Sequence, residues 1–199
     1  RQGAGGFFVL GITDMKKELL APAGDIEAGY AALYYGADAV YLGLQQFSAR
    51  ATATNFSESD LDEFTAFAHS KGRKVFVAIN TLVQESELAD LLKTLDICSR
   101  CKVDAVILQD LGAARVVREK YPELEMHAST QMAVHNKEGA LALKELGFAR
   151  VVLARELTRA EIEEIAAIPG LETEAFIHGA LCYSYSGLCL FSSMETGKS

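Results

Sequence analysis

Short β-branched apolar runs alternate with amphipathic stretches along almost the whole chain, the period of the apolar positions switching between two and about 3.6 residues. The alternation predicts strands over 17–21, 38–43, 74–80, 105–109, 125–129, 150–154 and 172–177. Between them it predicts helices over 25–35, 57–70, 86–99, 111–120, 136–146 and 158–167. Local signals agree with these bounds. Asp25 stands at a helix start, and Ser57-x-x-Asp60 resembles a capping box with Asp in place of Glu. Leu88, Leu91, Leu92 and Leu95 share one helix face, while Pro122, Gly147 and Pro169-Gly170 stand where helices should stop. Ala37-Asp38-Ala39-Val40 and Val103-Asp104-Ala105-Val106 echo one another at the start of two strands, as repeated βα units would.

Strict βα alternation favours a parallel sheet. No glycine-rich dinucleotide loop follows the first strand, which counts against the alternative, a doubly wound open sheet. The fold class expected is α/β, a TIM-like (β/α) barrel that is incomplete, with seven strands and the eighth unit absent. Residues 1–14 read as an upstream extension or cloning scar before Met15-Lys16-Lys17, and residues 15–199 as the truncated barrel domain. Strands one and seven then present open edges, which invite a homodimer.

In such a barrel the chemistry sits at the C-terminal ends of the strands. Reading those ends in order gathers polar side chains at one rim: Asn80-Thr81, Gln109-Asp110, His127 to Gln131, Arg155-Glu156 and His178-Gly179, with Arg50 on the loop after strand two. Thr81, Asp110 and Glu156 are equally well explained as helix caps. Arg50 and Arg155 suit an anionic substrate, because a guanidinium fork matches a carboxylate at two points. Asn80 and Gln109 join them as substrate-binding candidates. His127 and His178 are candidates for proton transfer, since imidazole titrates near neutrality, and Gln131 and Glu174 complete the expected catalytic set. Ser129 belongs to no nucleophile-elbow pattern, and there is no His-Glu-x-x-His zinc motif.

Composition changes the picture in two places. The net charge is -8, so the chain's overall field does not attract nucleic acid. Four cysteines without a secretion signal suggest a reducing, cytoplasmic compartment and free thiols, and no apolar run reaches membrane-spanning length. Cys98-Ser-Arg-Cys101 has CxxC spacing but falls at a helix end away from the rim, where two buried packing residues are the simpler reading. Cys182 and Cys189 lie just beyond the last strand, on the rim, in a loop of Gly, Ser and Tyr. Thiolates so placed suit a soft metal or an iron–sulfur cluster.

The stretch Glu174-x-Phe176-x-x-Gly179-Ala180-Leu181-Cys182, then Gly187-x-Cys189 and Ser192, resembles the signature of the collagenase-like peptidase family U32. So do Leu19-Leu-Ala-Pro-Ala-Gly24, Gly36-Ala-Asp-Ala-Val-Tyr-Leu-Gly43, Ala128-Ser-Thr-Gln131 and Arg155-Glu-Leu157. The resemblance implies two activities. One is collagenase-like proteolysis of collagen or another peptide. The other is oxygen-independent hydroxylation of RNA bases or of a small aromatic substrate, a quinone precursor, by proteins holding a four-cysteine iron–sulfur cluster. It also implies that Cys182 and Cys189 are the first two cluster ligands, with two more expected beyond residue 199. A proteolytic nucleophile or metal-bound water is hard to assemble from these residues, so the hydroxylase reading is preferred, the peptidase is the alternative, and a non-catalytic scaffold comes third.

Overall fold

The computed structural model describes residues 17–48, 55–179 and 182–188. Seven parallel strands, β1 (Leu20–Ala23), β2 (Ala39–Gly43), β3 (Lys74–Ile79), β4 (Ala105–Leu108), β5 (Glu125–Ala128), β6 (Arg150–Val152) and β7 (Glu172–Glu174), lie in chain order in one sheet. Six helices connect them: α1 (Ile26–Tyr34), α2 (Glu58–Ser70), α3 (Leu88–Arg100), α4 (Leu111–Lys120), α5 (Lys137–Glu145) and α6 (Arg159–Ala166). This is the expected incomplete TIM-like (β/α) barrel. No helix among the described residues is long and apolar enough to cross a membrane.

Both faces of the sheet are covered, as parallel strands require. Val40, Leu42, Val75, Val77, Ile79, Val106, Leu108, Met126, Val151 and Leu153 face outward, in one core with Leu61, Phe64, Leu91, Leu95, Val117, Leu143 and Ile165 from the helices. The alternate residues face inward, where Ala39, Phe76, Ala105 and Ile107 pack with Leu20 and Tyr41. Small residues at 39 and 105 leave room there for the ring of Phe76.

The polar rim residues do cap helices in several places. Asp25, Asp110 and Asn136 each accept a backbone N–H at 2.8 Å, from Ala28, Ala113 and Gly139. Ser57 and Asp60 form the capping box, with Ser57 N donating to Asp60 Oδ2 at 3.0 Å and Asp60 N to Ser57 Oγ at 3.2 Å. Replacing Ser57 with alanine should lower stability by about 1 kcal/mol. Urea denaturation checks this: the midpoint should fall with the slope unchanged, and an unmoved midpoint would refute the box's contribution. Gly147 ends α5 at φ +97°, a conformation glycine adopts without strain.

Three strands, β1, β6 and β7, differ from expectation by more than one residue at an end. β1 starts at Leu20 rather than at residue 17, because Glu18 leaves the ladder to meet charged partners in the interior. Pro22 therefore falls inside β1, on an edge strand where a missing N–H is tolerated. β6 stops at Val152 and β7 at Glu174, and residues 175–179 leave the sheet as an exposed segment.

Candidate functional site

Charge fills the barrel interior near the strand starts. Arg150 opens β6 with only 7% of its side chain exposed. Its Nη1 meets Glu18 Oε1 at 2.7 Å, and its Nε and Nη2 meet Glu172 Oε2 at 2.9 and 2.5 Å. Glu174 Oε2 lies 3.6 Å from Nη1, within Coulomb reach but without a hydrogen bond. Lys74 adds a further contact to Glu18 at 3.5 Å. The guanidinium also sits 5.1 Å from the centre of the Phe76 ring, a cation–π contact.

His127 belongs to this interior and not to the open rim where it was expected. Its side chain is fully buried, edge-on to Phe76 at 4.7 Å, and Nε2 is 2.8 Å from Glu125 Oε1. Burial first, and the nearby Arg150 charge second, push its pKa down to about 3. The contact with Glu125 is therefore a neutral imidazole N–H donating to a carboxylate, not an ion pair. The sequence placed His127 on the rim with the other residues that end strand five and could not give its depth.

Glu174 also turns inward. Burial raises its pKa, more than the Arg150 charge opposes it. For Glu18 the balance is reversed: burial pushes the carboxyl up, yet the hydrogen bond and charge of Arg150 leave it below its ordinary value.

The rim proper holds Asn80, Gln109 and Gln131, all half-buried, and His178, exposed after β7. Arg50 and Cys189 lie outside the described residues. Asp110 is occupied as the α4 cap. Ser129 is buried, and its oxygen accepts from Gln131 N at 3.1 Å. Cys98 and Cys101 are buried, and burial pushes the Cys98 thiol up to about 12, which fits their reading as packing residues.

Arg155 was expected to hold substrate, but its guanidinium is turned to the protein's own backbone. Nη1 donates to the Cys182 carbonyl at 2.8 Å and Nη2 to the Ser184 carbonyl at 2.7 Å. Glu156 accepts from Ser186 N at 3.0 Å, and Arg155 N donates to the buried Ser186 Oγ at 3.3 Å. His135 stacks on Tyr185, with ring centres 5.4 Å apart and planes 16° from parallel, and its Nε2 lies 3.3 Å from Glu156 Oε2. Gly187 has φ +79°, and a Cβ there would come within 2.8 Å of Ala133 Cβ and Gln131 O. Segment 182–188 is thus seated on the loops after β5 and β6, with the Cys182 thiol exposed. His135, Tyr185 and Ser186 were missed in the sequence, where no local pattern links the loop after β5 with a segment about 50 residues further along.

Comparison with known proteins agrees with this architecture. The sequence profile of peptidase family U32 matches residues 24–199. The chain is 40% identical over 188 residues to a 23S rRNA 5-hydroxycytidine synthase of Escherichia coli, covering 94% of this chain and 28% of that protein. It is 40% identical to the tRNA hydroxylation protein P of Haemophilus influenzae, covering 90% of this chain and 39% of the relative. A collagenase of Porphyromonas gingivalis is 32% identical, with 92% and 46% covered. The chain therefore spans less than half the length of these relatives. A solved U32 peptidase structure superimposes with a TM-score of 0.67 at 16% identity, covering 80% of this chain and 68% of the other, which supports the fold. Signature, fold and profile agree, and the chain belongs to peptidase family U32.

Proposed function

We propose that the full-length protein is an iron–sulfur-dependent, oxygen-independent hydroxylase of RNA bases, acting in the cytoplasm. The observation that carries this reading is the exposed Cys182 thiol on a rim segment held by its backbone, in a chain 40% identical to two RNA-hydroxylation proteins. The donor chemistry fits a cluster, since a solvent-facing thiolate on a fixed loop is what such a ligand needs. Cys182 and, by family resemblance, Cys189 would hold the cluster together with cysteines elsewhere in the whole protein. When bound, the cluster supplies one-electron chemistry.

Asn80, Gln109, Gln131 and His178 would line the substrate mouth with Arg50. The exposed ring of Tyr183, next to Cys182, offers a surface on which an unpaired base stacks. With a net charge of -8, recognition here would rest on base edges and stacking rather than on phosphate attraction. A small aromatic substrate would use the same groups.

Peptide hydrolysis is the second reading, favoured by the collagenase relative. The histidine and serine closest in sequence do not support it: His127 is buried and neutral, and Ser129 is occupied in its own turn. Self-association of the 199-residue chain itself, through the edges of β1 and β7, is a further part of the proposal. Light scattering tests it, and a monomeric mass would remove it.

Anaerobic reconstitution of the full-length protein with iron and sulfide separates the two activities. The hydroxylase reading expects about four irons per chain, lost when Cys182 and Cys189 are both replaced by serine, and a hydroxylated nucleoside missing from the RNA of a deletion strain. No iron uptake by a folded protein, with cleavage of gelatin, would overturn it in favour of the peptidase.

A further inference from the structure

We infer that Arg155 and Glu156 are positioning residues for the Cys182 thiol: side chains at the end of β6 that fix the direction of a candidate cluster ligand 27 residues away. This rests on the hydroxylase reading for its functional meaning, but the geometry stands without it.

The two residues grip alternate positions of one segment. Arg155 bridges the carbonyls of Cys182 and Ser184, and Glu156 takes the N–H of Ser186. Contacts at residues 182, 184 and 186 pin the bent backbone of the segment at three points, so the position of residue 182 is fixed while Cys182 stays exposed. A guanidinium can satisfy both carbonyls at once because its donors form a rigid fork, which the single ammonium of lysine does not reproduce. Both bonds carry a charge on the donor and belong to the stronger class of hydrogen bond.

Independent contacts seat the same segment. His135, whose Nε2 lies 3.3 Å from Glu156 Oε2, stacks on Tyr185, and the absence of a side chain at Gly187 lets the backbone approach Gln131 and Ala133. Six consecutive residues are thus located by groups from two other loops, while the thiol itself stays in solvent. A structural tie that served only packing would not need to spare that thiol. The arrangement also explains why Arg155 is not available for substrate: two of its nitrogens are already committed to carbonyls.

The test uses the full-length protein and the variants Arg155→Lys, Arg155→Ala and Glu156→Gln. In the metal-free protein, iodoacetamide alkylation of Cys182 is followed by mass spectrometry, with chymotryptic cleavage at Tyr183 and Tyr185 in parallel. Loss of either Arg155 bond should raise cleavage and alter alkylation of Cys182 by about tenfold, because the open form of the segment becomes that much more populated. Glu156→Gln, which keeps an acceptor for Ser186 N, should retain most of the parent's protection. After reconstitution, Arg155→Lys should shift the electron paramagnetic resonance signal at an iron content equal to that of the parent, a change that general destabilisation does not produce. Unaltered alkylation and cleavage in both Arg155 variants, or an unaltered signal in the lysine variant, would overturn the inference. If the parent takes up no iron, the cluster reading falls, and the metal-free rates alone still decide whether the clamp exists.

Discussion

Replacing Arg150 with methionine should destabilise the fold by about 3–5 kcal/mol, the usual effect of removing one partner from a buried charge cluster. The guanidinium stands between Glu18, Glu172 and Glu174 and over Phe76. Without it, Glu18 and Glu174 keep their charge in a poorly hydrated interior or must take up a proton. Glu172 differs, because 58% of its side chain is exposed and water can replace the arginine. Its replacement by glutamine should therefore cost under about 1 kcal/mol. Denaturation of both variants in urea at neutral pH makes the comparison. A loss below about 1 kcal/mol for Arg150→Met would mean that the interior hydrates freely and that the cluster is not a structural unit. Arg150→Lys should fall between, since lysine cannot bond Glu18 and Glu172 through a planar fork.

This cluster also shows what the sequence could and could not disclose. The order of seven strands and six helices was legible because two periodicities alternate cleanly and because Asp25, Ser57, Asp110, Asn136 and Thr158 cap helices by purely local rules. The interior charges were not legible. Glu18, Lys74, Arg150 and Glu172 stand at strand starts, where charged residues read as solvent-facing punctuation, and only the curvature of the sheet brings Arg150 to a partner 132 residues away. His127 was placed on the correct strand, and its pairing opposite Ile107 fixes it on the inward face. Depth along the barrel axis, which decides whether an inward residue meets substrate or core, depends on strand stagger that no local pattern encodes. Arg155 failed for a similar reason: the sequence showed a fork at the rim, and its partners turned out to be backbone carbonyls, which carry no residue signature.

Acidification should weaken the protein well before its carboxylates titrate, and His127 should be the cause. The imidazole has a pKa of about 3 in the folded chain and about 6.5 when unfolded. Between those values the unfolded chain binds a proton that the native chain refuses, so stability rises with pH there. The contribution is complete above pH 6.5 and is lost progressively as the pH falls toward 3. By pH 5 this one group should have removed about 2 kcal/mol. Two carboxyls modify the profile. Glu174, whose pKa is raised, holds its proton in the native state above its ordinary range and so offsets part of the loss. Glu18, whose pKa is lowered, adds to the loss only below its ordinary value. The difference between the parent and His127→Gln isolates the histidine, because both carboxyls remain in each. Urea midpoints measured from pH 7.5 to 5 should drop in the parent and stay flatter in the variant, the two curves converging as the pH falls. Parallel curves would show that His127 is protonated within the fold, and the neutral bond to Glu125 would then have to be replaced by an ion pair. The same titration in Arg150→Met should show a smaller loss that levels off at higher pH than in the parent, since removing the arginine charge lets His127 accept its proton more readily and narrows the gap between native and unfolded pKa values.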